Sequence, residues 1–424
     1  MPEAENILHH SMEEKRIVIA GAGFGGLTTA LAMSKDPAIA RHGYDLVLID
    51  RHPHHLYTAG LYEAAAVSRH FARDEYLASS VCIPLADIIR ALPIRFVQGT
   101  LAGVDVRNRR VTLDSQGTLS YDYLVLALGA ETNYFDIPGL KEYSAPLKTA
   151  NDAVALRNKI EGIAKSKHSL SIVIGGAGAT GVELAAELVN FLCVLEREKN
   201  PRAPACRTTV MLLEASRDIL PGFDAHAVRR ITRRLRHLGV IVKTGIPIIA
   251  ASKDDITLKS GERVPYDVLV WTGGIKGPHI LKTLKLPLSP KGTLVVDPGL
   301  RVMQTDGRVF AIGDNAWVAH PRTKRPIPAT AQVAEQEARH VAKAISRAVR
   351  GKPIRRFRTM KKYPFVLAVG RKYAYADLLV MRFAGRIGWC VKQLIQLRYF
   401  LFILPWPRAA TLWWRNMMLY HSND

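Results

Sequence analysis

The sequence predicts an α/β protein in which one strand–loop–helix unit occurs twice, followed by a basic, aromatic-rich helical segment. Three observations predict it. A buried-strand run, Arg16 to Ala20, leads into Gly21-Ala22-Gly23-Phe24-Gly25-Gly26 and the helical run Leu27 to Met33. The same order recurs as the strand Ser171 to Gly175, the loop Gly176-Ala177-Gly178-Ala179-Thr180-Gly181 and the helix Val182 to Leu192. Beyond Gly351 the character of the chain changes: 14 Lys or Arg stand against one acid, Asp377, up to Tyr420, together with Trp389, Trp406, Trp413 and Trp414.

Each loop has the spacing G-x-G-x-x-G between a strand and a helix. Glycine lets the backbone turn sharply and approach a pyrophosphate, while the helix N-terminus offers unpaired N–H groups and partial positive charge. A ribose also needs an acceptor at the end of the second strand. The strand Tyr44 to Ile49 ends in Asp50, and the strand Val210 to Leu213 ends in Glu214. A carboxylate there bonds ribose hydroxyls and repels a 2′-phosphate, so Glu214 favours NADH over NADPH. Two such sites in one chain suggest two nucleotides used together, a hydride donor beside a flavin.

The remaining composition narrows the classes. A chain of 424 residues, 48% hydrophobic and 23% charged, holds two or three folded domains. The net charge of +22 favours a polyanionic surface, and the apolar bulk beside the C-terminal cations fits lipid better than nucleic acid, for which no motif occurs. Cys82, Cys193, Cys206 and Cys390 form no C-x-x-C and no zinc pattern, so reduced, structural thiols are expected. Residues 1–15 are polar, without the apolar core of a secretion signal, and no stretch reaches about 18 uninterrupted apolar residues. His54-His55 has no evident metal partner, and no metal site is expected. Ala225 to His237 reads as a basic amphipathic helix, and Val240 to Lys243 and Val268 to Trp271 as strands. Ala329 to Arg350 reads as helix, and the Pro-containing stretch Glu196 to Arg207 as a long connection. Leu397 to Trp406 is apolar and broken by Pro405 and Pro407, and Leu412, Trp413, Trp414, Met417 and Met418 can share a helix face. Short amphipathic helices of this kind lie on a membrane instead of spanning it.

Two further segments are more specific. Tyr123 to Leu128 is an apolar strand ending in Gly129-Ala130, and Arg308 to Ile312 is a strand ending in Gly313-Asp314. With the two loops, these resemble the motifs of the two-dinucleotide-binding flavoproteins of the glutathione reductase superfamily, over roughly residues 15 to 345. That resemblance implies FAD on the first loop (Gly21, Gly23, Phe24, Gly25, Gly26), Asp50, Arg51, Ala127, Gly129, Gly313 and Asp314. It implies NADH on the second loop (Gly176, Gly178, Thr180, Gly181), Glu183, Glu214 and Gly273.

The run Ala329-Thr330-Ala331-Gln332-Val333-Ala334-Glu335-Gln336-Glu337 resembles the A-Q-x-x-x-Q signature of the type II NADH dehydrogenases. Gln332 and Gln336, four apart, share a helix face. In that family this face meets the flavin ring and the quinone head, which implies that Ala331 and Gln332 contact FAD. Thr180 to Glu187 is similar to the family's second loop, whose glutamate, matching Glu183, lies near nicotinamide and flavin. Trp271-Thr272-Gly273-Gly274 departs from the Ala-Ala-Gly of many members, which bears on the nicotinamide pocket. Lys372, in a segment that in the family runs back beside the flavin, is a further candidate contact.

The expected fold class is therefore α/β, with two Rossmann-like dinucleotide-binding domains, for FAD and NADH, plus a C-terminal amphipathic helical membrane-anchoring segment. The expected domains are an FAD-binding domain at 15–150 and 286–350, an NAD(P)H-binding domain at 151–285 and the membrane-associating segment at 351–424. The implied activity is NADH:quinone oxidoreduction by an FAD enzyme of the respiratory electron-transport chain. Hydride passes from NADH to FAD and two electrons to a membrane quinone without proton pumping, with Glu183, Gln332 and Gln336 as catalytic groups. The expected partners are quinone, an anionic lipid surface on the cytoplasmic side of the cell membrane and, as a second use of the apolar faces, a homodimer. The alternatives are a sulfide:quinone or ferredoxin-type reductase, or a non-enzymatic NADH-sensing flavoprotein.

Overall fold

The structure is a computed structural model that describes residues 15–114, 117–167, 169–199, 208–321 and 326–421. Most of the polar N-terminus, Cys206 and the end of the Glu196–Arg207 connection lie outside the described residues. The elements that position the site begin with β1 (Arg16–Ala20), α1 (Phe24–Ser34), β2 (Asp45–Asp50), α2 (Leu61–Ala64), α3 (Asp74–Val81), β3 (Arg95–Gln98) and β4 (Tyr123–Leu126). Next come α4 (Ala150–Ser166), β5 (Ser171–Gly175), α5 (Ala179–Lys199), β6 (Thr209–Glu214), α6 (Ala225–His237), β7 (Ile241–Thr244) and β8 (Val268–Trp271). The last are β9 (Val309–Ala311), α7 (Ala331–Val349), β10 (Phe365–Ala368), β11 (Ala374–Asp377), β12 (Arg382–Gly385), α8 (Arg386–Ile403) and α9 (Trp406–His421).

The chain divides into two compact units. Unit 1 comprises residues 1–55, 89–130 and 276–359, and unit 2 residues 56–88, 131–275 and 360–424. Unit 1 is built on a parallel sheet in the order β9-β4-β1-β2-β3. Its central strands are buried almost throughout, which is why they read as continuous apolar runs and not as alternating ones. Helix α1 packs along α7, and Gly25 allows this, since a Cβ there would stand 3.2 Å from Ile312 and 3.7 Å from Ala334.

Unit 2 repeats the design. Its sheet runs from the short strand Ser144–Ala145 through β8-β5-β6-β7, all parallel. Helix α4 starts with a capping box in which the Thr149 hydroxyl accepts from Asp152 N–H and the Asp152 carboxylate accepts from Thr149 N–H. Its Arg157 is fully buried, donates to the carbonyls of Val67 and Ala72, and pairs with Asp74 at 2.5 Å. The expected basic helix is α6, with the same bounds, while the strand expected at Val240 to Lys243 is shifted by one residue.

The C-terminal residues are packed into unit 2. Strands β10, β11 and β12 form an antiparallel sheet, with β11 buried along its whole length. Helix α8 packs on it, and a Cβ at Gly388 would lie 2.1 Å from Ala374 O, so only glycine permits this approach; further along the helix Tyr399 and Phe400 meet the Tyr57 ring. Pro405 and Pro407 separate the two helices. Pro407, in the first turn of α9, lacks an N–H that the helix would leave unpaired in any case. Helix α9 is tied down by Asn416 to Ser80 O, Tyr420 to Ser80 Oγ and Arg408 to Asp87. No helix among the described residues is long and apolar enough to cross a membrane.

One expectation is corrected. Cys82 and Cys390 are free, but Cys193 is disulfide-bonded. Spacing rules such as C-x-x-C test only local pairs, and tertiary folding sets the rest.

Candidate functional site

In unit 1 the three glycines of the G-x-G-x-x-G spacing do three different jobs. Gly21 has φ +103°, and a Cβ there would lie 2.3 Å from Ala127 O. A Cβ on Gly26 would lie 1.8 Å from Gly21 O. At Gly23 a Cβ would meet nothing within 4 Å. The first glycine thus permits the turn, the last permits close helix–loop packing, and the middle one borders open space. Gly23 is also the N-cap of α1 and provides no side-chain acceptor for the helix's first N–H groups.

The acid at the end of β2 closes the cradle. Asp50 accepts from Ala22 N–H at 2.7 Å on one oxygen and from His52 N–H at 2.9 Å on the other. Bonds to a charged acceptor of this kind contribute about 1.5–3 kcal/mol each. His55 is buried, its Nδ1 lies 2.8 Å from Ala22 O, and burial pushes the imidazole down to about 4. It is therefore neutral near pH 7, and Nδ1–H donates to the carbonyl. Phe24 stands edge-on to its ring, while the Arg51 side chain is exposed. Beyond β4, Gly129 takes φ +69°. At the end of β9, Gly313 takes φ +72° and its N–H donates to Glu337 at 2.6 Å. Asn315 donates to Leu126 O, and its own buried oxygen has no partner. An open glycine, an uncapped helix start and an orphaned buried oxygen together fit a dinucleotide.

Unit 2 repeats this geometry. Gly176 has φ +99°, with a notional Cβ 2.3 Å from the backbone of Gly273, and Gly181 would place one 2.0 Å from Gly176 O. Gly178 again borders open space. Glu214 accepts from Ala177 N–H and Ser216 N–H, both at 2.8 Å. Even the bond from the first glycine is duplicated, Gly21 N–H to Ile49 O at 2.7 Å and Gly176 N–H to Leu213 O at 2.8 Å. Thr180 is exposed at the start of α5.

The family model for pyridine nucleotide-disulphide oxidoreductases matches residues 15–338, which takes in both cradles. The chain belongs to this family. It is 27% identical to a type II NADH:quinone oxidoreductase of Staphylococcus saprophyticus, over 82% of this chain and 86% of the relative. It is 28% identical to demethylphylloquinone reductase NdbB of a Synechocystis species, over 91% of this chain and 92% of the relative. The fold is similar to that of NDH2 from Plasmodium falciparum, solved with NADH, at TM-score 0.78 and 18% identity with 97% of each chain covered. It is also similar to the sulfide:quinone oxidoreductase of Aquifex aeolicus, at TM-score 0.75 and 18% identity over 92% and 91%.

As in the first cradle, the chain has residues around the second that the motifs do not announce. Trp271, the departure noted in the sequence, lies across two glycines. A Cβ on Gly175 or on Gly273 would come within 2.5 Å of its ring. Its Nε1–H donates to Asn133 O and its ring meets Phe135 edge-on. The large ring is accommodated because both neighbours lack side chains.

Glu183, on α5 in unit 2, is half-buried and accepts from Ala368 N–H at 3.2 Å. Burial pushes its carboxyl up to about 8, against the opposing pull of Lys392. Lys392, from α8, forms an ion pair with Glu63 of α2 and stands 5.2 Å over the Tyr62 ring. The cation that acts on Glu183 is thus Lys392, while Lys372 is half-buried without a hydrogen bond or ion pair among the described residues. Gln332 and Gln336 lie in unit 1, both half-buried in the first turns of α7, with Ala331 at its first position. Thr330 caps that helix through Val333 N–H.

Sequence reasoning missed Glu337. It is 1% exposed, and burial holds its carboxyl up at about 8 with Asp314 adding to the shift. The available signal was its place between Gln336 and Ala338 in a helix whose apolar face turns inward. Glu63 and Lys392, 329 residues apart, gave no local signal.

Proposed function

We propose that this chain is an FAD enzyme that oxidises NADH and reduces a membrane quinone, without pumping protons. The duplicated cradle carries the reading, because it provides two dinucleotide sites of one design in one chain. The activities for which the relatives with 27–28% identity are named, NADH:quinone oxidoreduction and demethylphylloquinone reduction, point the same way. When bound, FAD supplies the redox centre between the hydride donor and the quinone.

The chain's own residues have definable tasks in this reading. Gly21, Gly23, Phe24, Gly25 and Gly26 hold the FAD pyrophosphate, with Asp50 and Arg51 at its ribose end. Ala127, Gly129, Gly313, Asp314, Ala331 and Gln332 border its remainder. Gly176, Gly178, Thr180, Gly181, Glu214 and Gly273 hold NADH. Glu183, with a carboxyl that keeps its proton near pH 7, is the proton-handling group. The amides of Gln332 and Gln336 address a quinone carbonyl without changing charge. The FAD part occupies 15–150 and 286–350, the NADH part 151–285 and the membrane-associating part 351–424.

The membrane-associating part faces the cytoplasmic leaflet in this reading. Support comes from α8 and α9, which display Ile387, Leu394, Leu401, Trp406, Trp414 and Met418 to solvent. Exposed Trp at the headgroup level and a basic surplus suit an anionic bilayer. A homodimer through the same faces is the second use of these side chains.

The testing experiment is anaerobic. NADH added to the purified protein in mild detergent bleaches the flavin spectrum, and a soluble quinone analogue restores it. Bleaching without restoration by quinone would remove the acceptor from the proposal. A second measurement concerns cofactor choice. Glu214→Ser removes the carboxylate that repels a 2′-phosphate. The NADPH-to-NADH ratio of kcat/KM should rise about tenfold or more, a change of roughly 1.4 kcal/mol. An unchanged ratio would take Glu214 out of the ribose site.

A further inference from the structure

Strands β11 and β12 are joined by Leu378 to Met381. Leu378 N–H donates to Met381 O at 2.9 Å, and Asp377 accepts from Leu379 N–H at 3.0 Å, so the turn is firmly closed. Leu379 takes φ +74°, a conformation that hairpin turns usually assign to glycine or asparagine. A leucine held there keeps an apolar side chain at the tip despite the backbone cost. The tip displays Leu379 at 42%, Val380 at 93% and Met381 at 56% exposure.

The base of this hairpin is charge-balanced, and the uncompensated cations beside it come from α6. Lys362 and Arg382 both pair with Asp377, which is buried, at 3.2 and 3.1 Å, and both approach Asp224. Two cations therefore share one buried carboxylate and one half-exposed one. Beyond Asp224, α6 exposes Arg229, Arg230, Arg233 and Arg236, which have no hydrogen bond or ion pair among the described residues. His226 of the same helix contacts Tyr375 at 3.1 Å, so the start of α6 adjoins β11. An apolar tip on a sheet that adjoins the exposed arginines of α6 is complementary to an anionic bilayer, where side chains enter the acyl boundary and cations meet phosphates.

We propose that the β11–β12 hairpin is a membrane-inserting wedge, separate from α8 and α9, that enters an anionic bilayer through Leu379, Val380 and Met381. The inference rests on the membrane-surface reading above and adds a second, non-helical point of contact.

The test uses the full-length, flavin-loaded protein with Cys390→Ser, which removes the exposed free thiol. Cys82 competes little, because burial pushes its thiol up to about 11. Val380→Cys carries an environment-sensitive fluorophore, Met418→Cys carries the same label on α9, and the labelled Cys390→Ser parent gives the background. Phosphatidylcholine vesicles with phosphatidylglycerol should shift emission at position 380 to the blue, and phosphatidylcholine alone should not. Val380→Asp, in a chain with unchanged melting, should weaken partitioning into the same vesicles about tenfold. A shift at 418 without one at 380 would overturn the wedge and leave the membrane reading standing. A shift at neither position would overturn both. Concentration-dependent self-quenching at 380 without vesicles would also overturn the wedge, since the hairpin would then join two copies of the chain.

Discussion

Gly23→Ala should leave unit 1 folded and strip it of flavin, whereas Gly26→Ala should unfold it. The two substitutions add the same methyl group to the same loop. At Gly23 it meets nothing within 4 Å and at Gly26 it overlaps Gly21 O at 1.8 Å. The first has no folded-state cost beyond about 0.5 kcal/mol, and the second exceeds about 4 kcal/mol because backbone cannot retreat as a side-chain tip can. The space at Gly23 is where a pyrophosphate would approach, so flavin affinity should fall at least about tenfold, a loss of roughly 1.4 kcal/mol. The flavin-to-protein absorbance ratio after gel filtration and a melting curve of the flavin-free protein separate the effects. A Gly23→Ala protein with a full complement of flavin would refute this assignment of the loop. Gly178→Ala should behave likewise toward NADH, raising its KM with flavin retained.

The second large effect is a dependence on pH set by Glu183 and Glu337. Both carboxyls are pushed up to about 8 by burial, from an ordinary value near 4.5. Because the folded value is the higher one, the folded chain binds the extra protons. Stability from these groups is complete below about pH 4.5 and is lost as pH rises toward about 8. For the buried Glu337 the loss is on the order of several kcal/mol. Glu337→Gln keeps an acceptor for Gly313 N–H without a proton to release. The difference in melting temperature between the wild type and this variant should therefore widen in the variant's favour from pH 5 to pH 8. A constant difference would show that Glu337 titrates normally. The catalytic counterpart is Glu183→Gln. If Glu183 handles a proton, the variant should lose about 10²-fold or more in kcat. Its rate should also lack the limb that falls through about pH 8 in the wild type. Retention of that limb would assign it to another group.

Much of the local architecture could be read in advance because its cause is local. Buried parallel strands have to be apolar throughout, and a pyrophosphate loop has to be glycine-rich. A helix such as α6 has to repeat Ala227, Ile231 and Leu235 at its buried face. Asp50 and Glu214 were visible as acids ending strands, but not as acceptors of the loop's own N–H groups. Residues beyond Gly351 read as basic and aromatic, yet the three strands that open this region were not visible there. Phe365 to Asp377 lacks the alternation of a half-buried sheet, because β11 is buried on both sides.

The sequence by itself determined the two strand–glycine loop–helix units, their terminal acids and the amphipathic helices, since each depends on residues within one or two turns of one another. Only the tertiary structure decided that Lys392 pairs with Glu63 beside Glu183, that Glu337 holds Gly313, that Trp271 needs glycine at 175 and 273, and that Val380 faces outward. These features join segments distant in the chain, and the burial that shifts a carboxyl or leaves a valine exposed depends on what the rest of the fold places around it.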